Sequence, residues 1–106
     1  MITIKNKASV KKMTEAGQRL SQLFHDLVPV VKAGVSTAEI DRWVDSTLKK
    51  LDLQSKMRGY MGYKHVSCIS VNDVVVHGVP DDSIVLTDGD MVKVDICASW
   101  KGYSAD

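Results

Sequence analysis

The sequence predicts an α+β fold in which two helices pack on an antiparallel sheet. Three observations carry that prediction. Apolar residues recur every three or four positions through the first half of the chain, the period of a helix with one buried face. Ser36-Thr37-Ala38-Glu39 is a capping box that starts the second helical segment. Beyond it the text turns into short β-rich runs separated by Gly, Asn and Asp, and ends in Asp88–Asp106, which reads as a β-hairpin.

Composition bounds the rest. A chain of 106 residues is one small domain, and 44% apolar content is ordinary for a globular protein. Lys and Arg total 14 against 13 acids, a net charge of +1, so nothing points to nucleic acid or a membrane surface as a partner. No apolar run approaches the ~20 residues of a transmembrane helix. The first nine residues lack the apolar core of a signal peptide, so a cytoplasmic protein is expected. Cys68 and Cys97 lie in separate apolar runs and should be free thiols in a reducing compartment.

In order along the chain, Ile2 and Ile4 alternate with polar residues, as in a short strand or an extended lead-in. A long helix follows, with Ser9 a candidate N-cap and Val10, Met13, Gly17, Leu20, Phe24, Leu27 and Val31 as its apolar stripe. Pro29 should kink or end it, and Gly34 suits the C′ position. His25 falls on this helix and is expected to be exposed. In the second helix Val35 and Ile40 suit a hydrophobic staple. Ile40, Trp43, Val44, Thr47, Leu48 and Leu51 form its buried face, and Asp41, Arg42, Asp45, Lys49 and Lys50 its wet face.

Lys56–Tyr63 packs two Gly, two Tyr and two Met into eight residues. Rings and thioethers together suit a pocket for a flexible apolar side chain. Equally, this is a Gly-rich loop whose Tyr rings cover the core. Val66–Val71 reads as a strand, Asn72-Asp73 as a turn, and Val74-Val75-Val76 as a buried strand closed by His77. Gly78 would let another chain approach the backbone closely. His77 can donate to a substrate carbonyl or relay a proton, or simply be satisfied by a backbone carbonyl.

In the final hairpin, Asp88-Gly89-Asp90 is a turn and Trp100-Lys101-Gly102 a second one. Asp95 interrupts an apolar run, where a carboxylate is costly to bury unless it is paired or binds a metal. With the pivot at Trp100-Lys101, Asp95 faces Asp106. Carboxylates that close repel unless a cation lies between them. Hard divalent ions take such oxygen donors, although two solvated aspartates in a hairpin fit the spacing as well.

Together these residues resemble the N-terminal half of a type I methionine aminopeptidase. The resemblance rests on six segments in order: Lys12-Met13 with Ala16-Gly17; Lys32–Thr37 with Ile40-Asp41; Gly59–Tyr63; Ser67–Asn72; Val76–Asp81; and Asp88–Asp95. It implies the pita-bread fold, two α+β halves related by a pseudo-two-fold axis with a dinuclear metal site between them. Residues 1–106 are then the N-terminal portion, and the second half is expected to be absent. Asp95 matches the family's bidentate ligand to one metal, Asp106 an Asp that bridges both, and His77 the His that contacts substrate near the scissile amide. Tyr60, Tyr63 and Cys68 match residues lining the methionine pocket. The implied reaction is hydrolysis of the first peptide bond of a nascent chain, near the ribosome, using two divalent ions (Co, Mn, Fe or Zn). The cations would activate water and polarise the carbonyl.

Departures from the family pattern are visible too. Three further ligands, a His and two Glu, are missing, so the chain alone is expected to be inactive and to expose apolar surface. Met57 stands where many members carry Cys, and Lys64-His65 replaces Pro-Lys, changes expected to touch only the pocket rim. Two other readings stay open: a non-catalytic interaction module or dimer, and a related proline-directed peptidase.

Overall fold

The computed structural model describes residues 1–106. Helix α1 runs Lys7–Leu27 and helix α2 Thr37–Lys50. The strands are β1 (Gln54–Ser55), β2 (Cys68–Val71), β3 (Val92–Asp95), β4 (Ala98–Trp100) and β5 (Tyr103–Ala105). They form two antiparallel sheets, one of order β1-β4-β5 and one pairing β2 with β3. Both helices contribute to one core built on Leu20, Leu23, Ile40, Val44 and Leu48, which meets Ile69 and Ala98 from the sheets and Val66 and Ile96 from the segments flanking them. The expected α+β architecture is present.

Helix α1 starts earlier than expected. Its cap is Asn6, whose side chain accepts from the Ser9 N–H at 2.8 Å, so Ser9 is the capped residue and not the cap. The buried stripe is Ala16, Leu20, Leu23 and Leu27, with Phe24 at its border and Val10 and Met13 exposed. The helix stops two residues short of Pro29. Gly34 is therefore no C′ residue. It turns the chain into α2 at φ +91°, and its N–H donates to the Leu86 carbonyl at 2.9 Å. His25 is exposed, as expected.

Helix α2 begins where the capping box places it. The Glu39 N–H donates to Ser36 Oγ at 3.1 Å, and the Ser36 N–H donates to Glu39 Oε2 at 2.7 Å. Ile40, Val44, Thr47 and Leu48 are buried, with Trp43 and Leu51 at the margin. Asp41 departs from expectation: it is buried, at 7% exposure, because the segment after β1 folds over it and supplies donors.

Of the two readings for Ile2 and Ile4, the strand is not formed: they lie in the lead-in to α1 and stay exposed. The expected strand at Val74-Val75-Val76 does not form either, and Val75 is 75% exposed. The chain leaves β2 through a turn at Asn72, φ 55°, closed by the Val74 N–H on the Val71 carbonyl at 3.2 Å, and returns to it at Gly78, whose carbonyl accepts from the Ile69 N–H at 2.8 Å. The three valines between have no ladder partner. A β-branched run favours a strand only where a sheet is there to receive it.

The stretch from Met91 to Trp100 reads as one strand in the sequence and is two in the fold. It breaks at Ile96-Cys97, so β3 pairs with β2 while β4 enters the other sheet. The β4–β5 turn is Lys101-Gly102, at φ 48° and 85°, the left-handed pair of a two-residue hairpin. Trp100, just before it, lies between Arg19 at 4.9 Å and Lys101 at 4.7 Å. Arg19 also donates to the Leu51 carbonyl at 2.7 Å, which ties α1, α2 and the hairpin together.

Candidate active-site cleft

The segment between β1 and β2 wraps one side of an open cleft of about 1070 Å³. Its walls include Met57, Tyr60, Met61, Tyr63, Cys68, His77 and Cys97. Local bonds explain the wrap. Ser55 Oγ accepts from the N–H groups of Met57 and Arg58, each at 3.1 Å, which starts a tight turn. Gly59 and Met61 then take left-handed backbone angles, φ 88° and 49°. From α2, Asp45 holds Arg58 at 2.8 Å and Asp41 holds residues 65 to 67. One helix thus anchors both ends of the cleft-forming segment.

Between those anchors the two tyrosines differ. Tyr60 is 70% exposed, so it does not cover the core. Tyr63 is half-buried, and its hydroxyl donates to the Ser67 carbonyl at 2.7 Å and accepts from Cys68 Sγ at 3.5 Å. Burial first, then the Cys68 thiol and the nearby Asp41 and Asp95 carboxylates, push the Tyr63 hydroxyl well above the usual phenol range. It stays protonated and serves as a fixed donor. Met57 does more than shape the rim: its sulfur accepts from the Cys97 N–H at 3.4 Å, holding the loop to the strand break.

His77 also lines the cleft, exposed, with a left-handed backbone at φ 59° that is uncommon outside glycine. It closes no buried strand, since the valines before it are unpaired. The neighbouring Gly78 does admit a close approach, and the approaching chain is the protein's own β2. A Cβ there would lie 2.8 Å from the Ile69 carbonyl carbon and 2.9 Å from Ser70 Cα. The Gly78 N–H also donates to Ser70 Oγ at 2.9 Å. These contacts hold His77 against the cleft.

The expected pairing of Asp95 with Asp106 is displaced by two residues. Asp95 is directly opposite Cys68 in the β2–β3 ladder. The β4–β5 register pairs Ala98 with Ala105 and Trp100 with Tyr103, so Asp106 continues toward Cys97. The displacement arises because the turn falls on Lys101-Gly102, one residue later than the assumed pivot. The break at Ile96-Cys97 also puts the two aspartates at the ends of different sheets, so no common ladder joins them. Both carboxylates still act on the same group: burial, then Asp106, with a smaller part from Asp95, push the Cys97 thiol upward, while Lys56 pulls it down. Asp95 is exposed and incurs none of the burial cost expected of it.

Tyr60, Tyr63, Cys68 and His77 therefore share one cleft, and Asp95 and Asp106 lie beside its Cys97 wall. As donors the two aspartates suit a hard divalent ion in kind but not in number. No three His, Cys, Asp or Glu side chains converge to hold a metal. Sequence reasoning missed Asp41, and one signal was available: an acid one residue after Ile40 and three before Val44 borders the apolar stripe.

Comparison with known proteins gives this arrangement a context. The E. coli (strain K12) methionine aminopeptidase is 40% identical over 106 residues, covering 99% of this chain and 40% of that relative's length. The chain thus spans about two-fifths of the curated relative it matches. The solved methionine aminopeptidase of Thermotoga maritima superposes with a TM-score of 0.91 at 35% identity, over 98% of this chain and 42% of that one. That of Rickettsia prowazekii gives 0.93 at 27%, with the same coverage. The fold is accordingly half of the pita-bread fold found in those enzymes. Residues 11–106 match the model of metallopeptidase family M24, which implies use of a divalent metal, and the chain belongs to that family.

Proposed function

We propose that this chain carries one side of the active site of a metal-dependent aminopeptidase that removes the initiator methionine from nascent proteins. The observation that carries the reading is the cleft itself. Met57, Tyr60, Met61, Tyr63 and Cys68 surround a space suited to a thioether side chain, and His77 and the two aspartates border it. The methionine side chain would enter between the tyrosines. Tyr63, fixed at its hydroxyl by Ser67, would give that pocket a rigid wall.

Asp95 and Asp106 would hold divalent metal together with donors from outside residues 1–106. When bound, the metal supplies Lewis acidity and an activated water. His77 would orient the scissile amide and donate to the oxygen that gains charge in the transition state. Its exposure on the cleft wall leaves it free to do so. The ions in view are two, drawn from Co, Mn, Fe and Zn, since oxygen and imidazole donors suit all of these. A substrate on a nascent chain places the protein near the ribosome. The free Cys68 and Cys97 fit a reducing, cytoplasmic setting.

The test is methionine release from a Met-Ala peptide with added Co²⁺ or Mn²⁺. The 106-residue chain alone is expected to release none, because two carboxylates do not complete a metal site. Adding a polypeptide that supplies the complementary half of a relative should restore release, and His77→Ala should abolish the restored activity. Release of proline-adjacent residues in place of methionine would favour the proline-directed reading. Restored activity that survives His77→Ala would remove His77 from its assigned role.

A further inference from the structure

We infer that Asp41 and His65 are positioning residues for the cleft, clamping Tyr63 at its ring and, through Ser67, at its hydroxyl. The clamp begins at the Asp41 carboxylate, 7% exposed on α2. A buried carboxylate is tolerated when its lone pairs are filled. Here Oδ1 accepts from Ser67 Oγ at 2.6 Å and from the Val66 N–H at 3.1 Å, and Oδ2 lies 3.1 Å from His65 Nδ1. A carboxylate only accepts, so Nδ1 carries the proton.

Two of those residues, His65 and Ser67, then grip Tyr63. The His65 ring meets the Tyr63 ring edge to face, with centroids 5.6 Å apart and planes at 65°. The Ser67 carbonyl accepts from the Tyr63 hydroxyl at 2.7 Å. The ring of Tyr63 thus meets His65 and its hydroxyl is held by Ser67, and Asp41 holds both partners. The wall of the cleft is in this way set from α2, a helix that contributes no lining residue of its own. Of the Lys64-His65 pair, expected to touch only the rim, His65 acts instead on the wall.

The test separates positioning from simple stability. The chain is labelled with 3-fluorotyrosine, and the Tyr63 ¹⁹F signal is assigned by its loss in Tyr63→Phe. His65→Gln keeps a donor for Asp41 and removes the ring. It should move the Tyr63 signal toward that of exposed Tyr60 and sharpen it, with little change in the unfolding midpoint. Asp41→Asn should move it further, and where that variant fails to fold, His65→Gln decides alone. L-methionine, the probe for the cleft, should bind His65→Gln about threefold to fivefold more weakly, the scale of one aromatic edge contact. An unchanged Tyr63 signal in His65→Gln overturns the inference. The affinity arm rests on the methionine-pocket reading: wild-type chain that binds no L-methionine counts against that reading, and the ¹⁹F comparison still decides the clamp.

Discussion

At the scale of single residues, Gly78 and Cys97 make the sharpest claims. A methyl at Gly78 meets β2 backbone, at Ile69 and Ser70, and backbone cannot rotate away as a side chain does. Gly78→Ala should destabilise the chain by about 1–3 kcal/mol, the range for overpacking, measured as a lower midpoint in urea. An unchanged midpoint would mean that the 72–78 segment lifts off freely. Cys97 answers to its surroundings. Burial and Asp106 keep its thiol protonated, and only the thiolate is nucleophilic. Iodoacetamide should therefore modify Cys97 more slowly than a free cysteine at pH 8, as read by peptide mapping. Asp106→Asn should speed that reaction, because a neutral amide no longer disfavours the thiolate. No acceleration would separate Asp106 from the cleft. Of the residues chosen from the sequence, the rings and thioethers of Lys56–Tyr63 stood out locally, His77 left a donor role and a structural one open, and Cys68 entered only through the family resemblance. Asp41 was not legible, since its burial depends on a segment some 25 positions later in the chain folding onto it.

At the scale of elements, the ends are better determined than the faces. The Ser36–Glu39 box is local, so Ser36→Ala should cost about 1 kcal/mol, seen as a lower melting temperature with the fold retained. The Lys101-Gly102 turn is local as well. Gly102 sits at φ 85°, and a side chain there is strained, so Gly102→Ala should cost about 1 kcal/mol and loosen the strand that carries Asp106. The loop before β3 carries a pH dependence. Asp90 accepts from the Asn72 side chain and from the Thr87 N–H, and these donors hold its carboxyl below the usual carboxylate range. A depressed folded value adds stability above the unfolded value and loses it as the pH falls through the folded one. Hydrogen exchange at Thr87 and Met91 should accordingly quicken below about pH 4, and Asp90→Asn should remove most of that dependence. Exchange at those amides that ignores acid would show the cap to be unimportant. Helix α1 shows the limit of reading elements: its stripe was legible, but its true start at Asn6 and the early stop before Pro29 moved Ser9 and Gly34 out of their expected roles.

For the whole molecule the exposed apolar surface matters most. Val74, Val75, Val76, Val79, Ile84, Val85 and Met91 are all exposed, in a chain that spans about two-fifths of the relative it matches. Apolar surface on that scale marks an interface or a liability to aggregate. The chain should self-associate at micromolar concentration in sedimentation velocity, and Val75→Lys with Val79→Lys should shift it toward monomer. A monodisperse wild-type monomer would show that water tolerates this surface as it stands.

The sequence by itself determined the helix count, the capping box and the turn-forming residues at Asp88–Asp90 and Trp100–Gly102, because each depends on neighbours within a few positions. Tertiary structure alone decided the rest. It split one apolar run between two sheets, moved Asp106 opposite Cys97, left three valines unpaired and buried Asp41. Each of these outcomes depends on which distant segment arrives to supply a ladder, a donor or a cover. β-propensity and helical periodicity record what a residue favours locally, whereas pairing and burial are settled by partners far along the chain.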